Sequence, residues 1–360
     1  MAGRKKKIKT AIIGVGGISG VHYNGYSKCE DAELWAICDI KPDVLKAKSE
    51  RYGIPAERCF LDHRDLLKLK EVEAVSVCTP NKAHCEITLN ALRAGKHVLC
   101  EKPIAMNARE GQRMVAAADK AKRILQIGLM QRFRADANYV KGLVDDGTLG
   151  DIYYARCRAV RRRGVPSWGV FGQMEENGGG GLIDIGVHMI DLTWYVMGKP
   201  RPVAVSGQTY RTIGNTPGHW GMFGRWDHKT YTVEDFATGY VRFDNGATMA
   251  IECGFIANLD DDNENFHIVG DKGGAGIGPL NVQIELGGHI CDVTPHNIMT
   301  TNFQGKPAKL TGHELEVIHF VDCVIHKKPT RVPGREVIWV QKIIDGLYRS
   351  AQAGRELKIN

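Results

Sequence analysis

Between residues 8 and 128 short apolar runs alternate with helical patterns, and few folds accommodate that alternation. The runs at 8–13, 33–38, 74–78, 97–100 and 124–128 have strand length, and helical spacing fills 41–52, 65–69, 81–94 and 108–121. Strands that are apolar throughout need cover on both faces, which predicts a parallel, doubly wound sheet. After about residue 130 the texture changes. A helix over 133–146 and a strand over 153–160 lead into a long loop, 161–181, rich in Arg, Gly and Trp, and then a helix over 182–197. From 202 to 293 strand-like runs (204–209, 237–243, 248–255, 266–269) follow one another without helices between them. Asp244-Asn245-Gly246 reads as a hairpin turn, so this part predicts a mainly antiparallel sheet. Helices over 314–326 and 337–353 close the chain. At 360 residues the chain exceeds one ordinary core, which stops growing near ~250–300 residues. The expected class is α/β, with a nucleotide-binding domain over 1–130 followed by an α+β domain over 131–360.

Charge and cysteine usage bound the function. The formal charge of +7 sits partly in Arg4, Lys5, Lys6 and Lys7. Such a run can touch nucleic acid or simply be solvated ahead of the first strand; with no nucleic-acid-binding signature elsewhere, the solvated tail is expected. A pI near 8.8 suits anionic cofactors or substrates. No stretch approaches the ~18 apolar residues of a membrane helix, and the apolar run after the basic cluster is too short for a signal peptide. Ten cysteines without a C-x-x-C pair read as reduced thiols. The expectation is a cytoplasmic protein with no membrane and no nucleic-acid partner.

Gly14-Val15-Gly16-Gly17-Ile18-Ser19 fits G-x-G-x-x-(small). In a chain with 42 glycines chance supplies about five G-x-G triplets, so the letters alone say little. Position says more. The loop follows the first strand and opens a polar segment, 19–28, as at a helix start, where open N–H groups and the helix dipole can hold a pyrophosphate. Asp39 ends the next strand, where a carboxylate can bind both ribose hydroxyls and repel a 2′-phosphate. An ordinary tight turn with a capping Asp would share these features, but the context favours nucleotide binding. NAD is the expected cofactor and NADP the lesser one, with Lys41 the neighbour that argues the other way.

Glu101-Lys102-Pro103 follows the fourth strand, at the edge where open α/β sheets place ligands; alone, Lys102 reads as a surface charge. In Asp184-Ile185-Gly186-Val187-His188 the Asp and His stand at i and i+4, on one helical face roughly 5–6 Å apart, with Asp191 a further turn along. Histidine suits proton transfer near neutral pH. A helix-start Asp and a core His would look the same. Taken together with Cys78-Thr79-Pro80-Asn81-Lys82-Ala83-His84, His22 and the Gly-rich run into Asp184–Asp191, these motifs make the sequence resemble the Gfo/Idh/MocA family of sugar and cyclitol oxidoreductases over nearly its whole length. The resemblance implies a Rossmann domain and a C-terminal substrate-binding domain on a large open sheet whose outer face supports a homo-oligomer, a dimer or tetramer. It implies that Lys102 hydrogen-bonds the reacting hydroxyl near the nicotinamide, with a cis bond to Pro103. His188 is then the acid/base, Asp184 binds substrate or orients the site, and Thr79, Asn81, His84 and Glu101 line the cofactor. With both Lys102 and His188 kept, the chain is expected to oxidise a secondary hydroxyl of a polyol, sugar or glycoside to a ketone.

The basic and aromatic residues of 156–171, among them Arg163 and Trp168, can stack on a sugar ring and bind anionic groups; a solvated loop or subunit contact is the alternative. The segment from His219 to His228 is a second candidate wall of the pocket. Neither it nor His313, His319 and His326 forms a metal motif, and no metal is expected. The Arg-rich loop and Gly178–Gly181 also resemble, more loosely, the family's subgroup acting on glucosides, including glycoside 3-oxidases that keep NAD bound. Two other functions share the resemblance. One is transient sugar oxidation that drives glycosidic-bond cleavage; the other is a non-catalytic NAD sensor.

Overall fold

The computed structural model describes residues 7–298 and 309–359, so Arg4, Lys5 and Lys6 lie outside the described residues. The chain divides into two compact units, residues 1–133 with 301–338 and residues 134–300 with 339–360.

In the first unit six strands, β1 (Ile8–Ile13), β2 (Ala32–Cys38), β3 (Cys59–Phe60), β4 (Val72–Val77), β5 (His97–Glu101) and β6 (Leu125–Gly128), form one parallel sheet in the order β3-β2-β1-β4-β5-β6. Helices α1 (Ser19–Lys28), α2 (Pro42–Tyr52), α3 (His63–Leu67), α4 (Asn81–Arg93) and α5 (Ala108–Ala121) make the crossovers. The strands are apolar because they are covered on both faces: Ala11, Ile12, Ile37, Val75, Val77 and Leu99 are fully buried. Strand order reverses between β1 and β4, and the carboxyl ends of those strands are where a doubly wound sheet binds its ligand.

The second unit is built on nine strands, β7 (Ile152–Val160), β8 (Pro202–Tyr210), β9 (Phe236–Phe243), β10 (Thr248–Gly254), β11 (Asn263–Gly270), β12 (Gly273–Ile277), β13 (Asn281–Leu286), β14 (His289–Asp292) and β15 (Leu357–Lys358). Their order is β14-β13-β12-β11-β7-β10-β9-β8-β15. Only β7 and β10 pair in parallel, so the sheet is mixed but mostly antiparallel. The hairpin joining β9 to β10 turns at Gly246, whose φ of +87° needs glycine. The helices here are α6 (Ala135–Asp145), the short α7 (Met174–Asn177) and α8 (Val187–Val196). Strand β12, Gly273-Gly274-Ala275-Gly276-Ile277, carries no clear alternation in sequence. In β12 glycine stands where neighbours crowd: a Cβ on Gly276 would come within 2.6 Å of the His267 ring, and one on Gly273 within 2.6 Å of the Gln283 carbonyl.

The helix α9 (Gly312–His326) falls in the first unit, although it comes late in the chain. Its Val317, Phe320 and Val321 complete the core formed by Ile12, Tyr26, Ile37 and Leu99. A Cβ on Gly25 of α1 would fall 2.6 Å from the Val317 Cβ, so α1 and α9 meet in close contact. A capping box of Thr311 and Glu314 starts α9, and Glu314 also meets Lys28 at 2.6 Å. The last helix is α10 (Gly334–Ala353). Among the described residues no helix is long and apolar enough to cross a membrane.

Candidate active site

In the first unit the glycine loop leaves β1 beside the end of β4. Gly14 has φ +86°, and a Cβ there would lie 2.7 Å from the Cys78 carbonyl oxygen, so glycine is required twice over. Gly16 and Gly17 are different. They are exposed, neither has a positive φ, and a Cβ on either would meet nothing within 4 Å. The chain itself does not ask for glycine at these two positions; the open space suits a ligand that must approach the backbone. Ile18 is exposed beside them, and α1 then starts with no side-chain cap and no acidic residue in its first turn. The Ser19 hydroxyl closes the loop, donating to the Gly16 carbonyl at 2.7 Å and sharing a hydrogen bond with the Tyr52 hydroxyl at 3.0 Å. Asp39 is half-buried at the end of β2. Its Oδ2 accepts from the Val15 amide at 2.8 Å and its Oδ1 from the Lys41 amide at 2.9 Å, which aims the carboxylate across the loop mouth. The Thr79 hydroxyl is a buried polar atom with no hydrogen-bond partner. An uncapped helix start, a space beside glycines, a fixed carboxylate and an orphan hydroxyl fit a dinucleotide.

The residues after β4 and β5 are tied together. His84 is fully buried on α4, with Nδ1 2.8 Å from the Pro103 carbonyl oxygen and Nε2 2.9 Å from that of Thr79. Burial pushes its pKa below the ordinary histidine value, against two carbonyls that favour N–H donors. With both nitrogens engaged, His84 acts on its surroundings through the peptides it holds. Asn81 begins α4 and is almost buried. Glu101 closes β5 with Oε1 2.8 Å from His22 Nε2, while His22 Nδ1 meets the Ser76 hydroxyl at 3.0 Å. Burial would push the Glu101 carboxyl up, but the hydrogen bond and charge of His22, helped by Lys102 and His313, bring it down to about 2. The amide of half-buried Lys102 donates to Glu101 Oε2 at 3.2 Å, and the Lys102–Pro103 bond is cis.

Asp184 and His188 lie in the second unit, on the segment that follows Gly178–Gly181. The sequence reads as one α-helix over 182–197, but Leu182–Gly186 forms a π turn before α8 begins. Close packing on β10 explains the departure: a Cβ on Gly181 would meet the Gly254 Cα at 2.5 Å, and one on Gly186 the Cys253 Sγ at 2.7 Å. The simple i, i+4 argument for a shared face thus does not describe the turn that holds Asp184. Asp184 is buried, as is Asp191. His188 is the one residue from 181 to 194 that is not buried.

The loop 161–173 is interlocked with 212–232. Met222 donates its amide to the Arg163 carbonyl at 2.8 Å, and the Ser167 hydroxyl donates to the Phe223 carbonyl. The Arg163 guanidinium is spent within the protein, on the Ala257 carbonyl at 3.2 Å and Asn258 Oδ1 at 2.6 Å. Trp168 is 56% exposed and stands edge-on to Phe223 with ring centroids 5.0 Å apart, so of the two it offers the freer surface. Sequence reasoning gave no role to Ser76, His313, Glu234 or Tyr348, and for His22 it supplied only a motif. One signal was available. Ser19, His22 and Tyr26 fall at i, i+3 and i+7 on the buried face of α1, where polar side chains need a buried partner.

Residues 8–129 match the family model described as an oxidoreductase family with an NAD-binding Rossmann fold, Gfo/Idh/MocA, and residues 141–359 match the model of its C-terminal alpha/beta domain. A relative from Escherichia coli named D-glucoside 3-dehydrogenase is 35% identical over 355 residues, covering 98% of this chain and 97% of the relative. Among solved structures, an aldose-aldose oxidoreductase from Caulobacter crescentus complexed with glycerol superposes with a TM-score of 0.81 at 27% identity, covering 98% of this chain and 100% of that one. A levoglucosan dehydrogenase in complex with NADH, 21% identical, gives 0.84 over 99% of this chain and 100% of that one, a likeness of fold.

Proposed function

From the premise that this chain belongs to the Gfo/Idh/MocA family of NAD-binding oxidoreductases, we propose that it oxidises a secondary hydroxyl of a sugar, cyclitol or glycoside, with C3 of a glucoside the preferred position. The observation that carries this reading is the end-to-end match to the protein named D-glucoside 3-dehydrogenase. Bound NAD supplies the hydride acceptor. The chain's own residues do the rest. Gly16, Gly17, Ile18 and Ser19 at the start of α1 hold the pyrophosphate, Asp39 the ribose, and Thr79, Asn81 and Glu101 the nicotinamide end, with His84 bracing that wall. His188 takes the proton from the reacting hydroxyl, the Lys102 ammonium stabilises the alkoxide as it forms, and Asp184 orients the substrate. Trp168 supplies a face for the pyranose ring, and Arg163 shapes the loop that carries it.

The test follows absorbance at 340 nm as sugars, inositols and glucosides are added to extensively dialysed protein, with the product identified by NMR. A rise with a glucoside, giving a 3-keto product, is expected. A stoichiometric rise without added NAD would identify tightly held, recycled cofactor. Free aglycone without net reduction would replace the reading with glycoside cleavage, and silence toward every polyol by NAD-loaded protein would leave a sensor.

Cofactor choice follows from Asp39. In Asp39→Asn the charge that repels a 2′-phosphate is gone while the size is kept, so the preference for NAD over NADP is expected to narrow by about tenfold, or about 1.4 kcal/mol. The ratio of kcat/KM for the two cofactors reads this directly. An unchanged ratio would remove Asp39 from the ribose site.

A further inference from the structure

We propose that Glu234, with Tyr348 as its partner, is a positioning residue for the catalytic turn: a helix cap supplied from a distant part of the second unit that fixes where Asp184 and His188 stand. A helix start leaves N–H groups without partners, and side chains such as Asp or Ser ordinarily cap them locally. The turn beginning at Leu182 has no such cap, because four glycines precede it. Glu234 takes the role instead. Its Oε2 accepts the Gly180 amide at 2.8 Å and its Oε1 accepts the Leu182 amide at 3.0 Å, while the Tyr348 hydroxyl donates to Oε1 at 2.9 Å. A carboxylate at this end also complements the helix dipole.

The glycine run is the imprint of this arrangement. A Cβ on Gly179 would strike the Tyr348 hydroxyl, and one on Gly180 the Glu234 carbonyl. Side chains there would push the turn away from its cap. Glu234 is itself held firmly: the Tyr231 hydroxyl donates to its carbonyl at 3.1 Å, and the next carboxylate, Asp235, accepts three amides, from Thr212, Ile213 and Gly214. The cap is therefore anchored to the loop network of the same unit rather than to the turn it serves.

Its charge matters. Burial pushes the Glu234 carboxyl up, opposed by the Leu182 and Gly180 amides and the Tyr348 hydroxyl. The titratable groups around it are Tyr348 of α10, Tyr231 and Asp235 of its own segment, and Cys253 of β10; burial keeps both tyrosines and the cysteine protonated. A proton on Glu234 would oppose an O–H to amide donors and loosen the turn.

This inference rests on the proposed role of His188, and the experiment separates the two. Glu234→Gln, Tyr348→Phe and His188→Ala are made in the full chain and assayed with NAD and the best glucoside, alongside NAD binding and thermal melting. Glu234→Gln is expected to lose roughly tenfold to a hundredfold in kcat, with NAD affinity kept and a smaller change in KM, as a displaced acid/base would give. Tyr348→Phe keeps both amide bonds and is expected to lose less. It should, however, move the acid limb of the kcat profile to higher pH, because a donor that favours the carboxylate is gone. Wild-type kcat in Glu234→Gln beside an inactive His188→Ala would overturn this inference alone. Full activity in His188→Ala would overturn the site and the inference together. If Glu234→Gln does not fold, an unmoved acid limb in Tyr348→Phe overturns the inference by itself.

Discussion

His188→Ala is expected to lower kcat for glucoside oxidation by about 10²–10⁴, the range a positioned acid/base contributes, while NAD binding stays as it was. The reasoning begins with burial. From 181 to 194 every residue is buried except His188, so the packing that holds Val187, Met189 and Ile190 also presents this one ring. The NAD-holding residues proposed above belong to the other unit, and the substitution leaves them intact. Steady-state rates and an NAD titration separate the two effects. Loss of the rate's base-dependent limb and partial recovery with added imidazole would tie the defect to proton transfer. A kcat within threefold of wild type would remove His188 from the chemistry.

Lys102→Ala is expected to cost about 10²–10³ in kcat, the magnitude found when one donor to a developing oxyanion is removed. Lys102→Arg is not expected to restore it, since a planar guanidinium cannot take the place of a compact ammonium. The geometry explains why the position tolerates no drift. Glu101 before it is locked to His22, and the carbonyl of Pro103 after it is held by His84. Residues acting on one step are strongly non-additive, so the double variant should be little worse than the worse single one. Two independent losses that multiply would assign Lys102 and His188 to different steps.

Much of this was readable in the chain. The strands at 8–13 and 97–100 and the helix at 108–121 were set by continuous apolar runs or strong helical periodicity, signals that local burial enforces. The glycine loop and Asp39 were legible for the same reason, since strand ends position them. The misses have physical causes. Strand β12 holds glycine where the adjacent strands leave no room for a side chain, so no alternation is written there. The π turn before His188 depends on contact with Cys253 and Gly254, more than sixty residues away in sequence. Likewise nothing local marks Glu234 as a cap for Gly180 and Leu182, or His22 as the partner of Glu101. Such pairings exist only after the chain has folded.

The placement of α9 also has a consequence for biosynthesis. Val317, Phe320 and Val321 fill the core that Ile12, Tyr26 and Ile37 begin, yet they leave the ribosome nearly two hundred residues after the end of β6. At ~5–20 residues per second the nascent cofactor-binding half waits roughly 10–40 s with part of its apolar interior uncovered. Ribosome-bound chains stopped before residue 312 are thus the form in which this protein is most open to chaperones and to aggregation, and a fragment ending near residue 133 inherits the same exposed face.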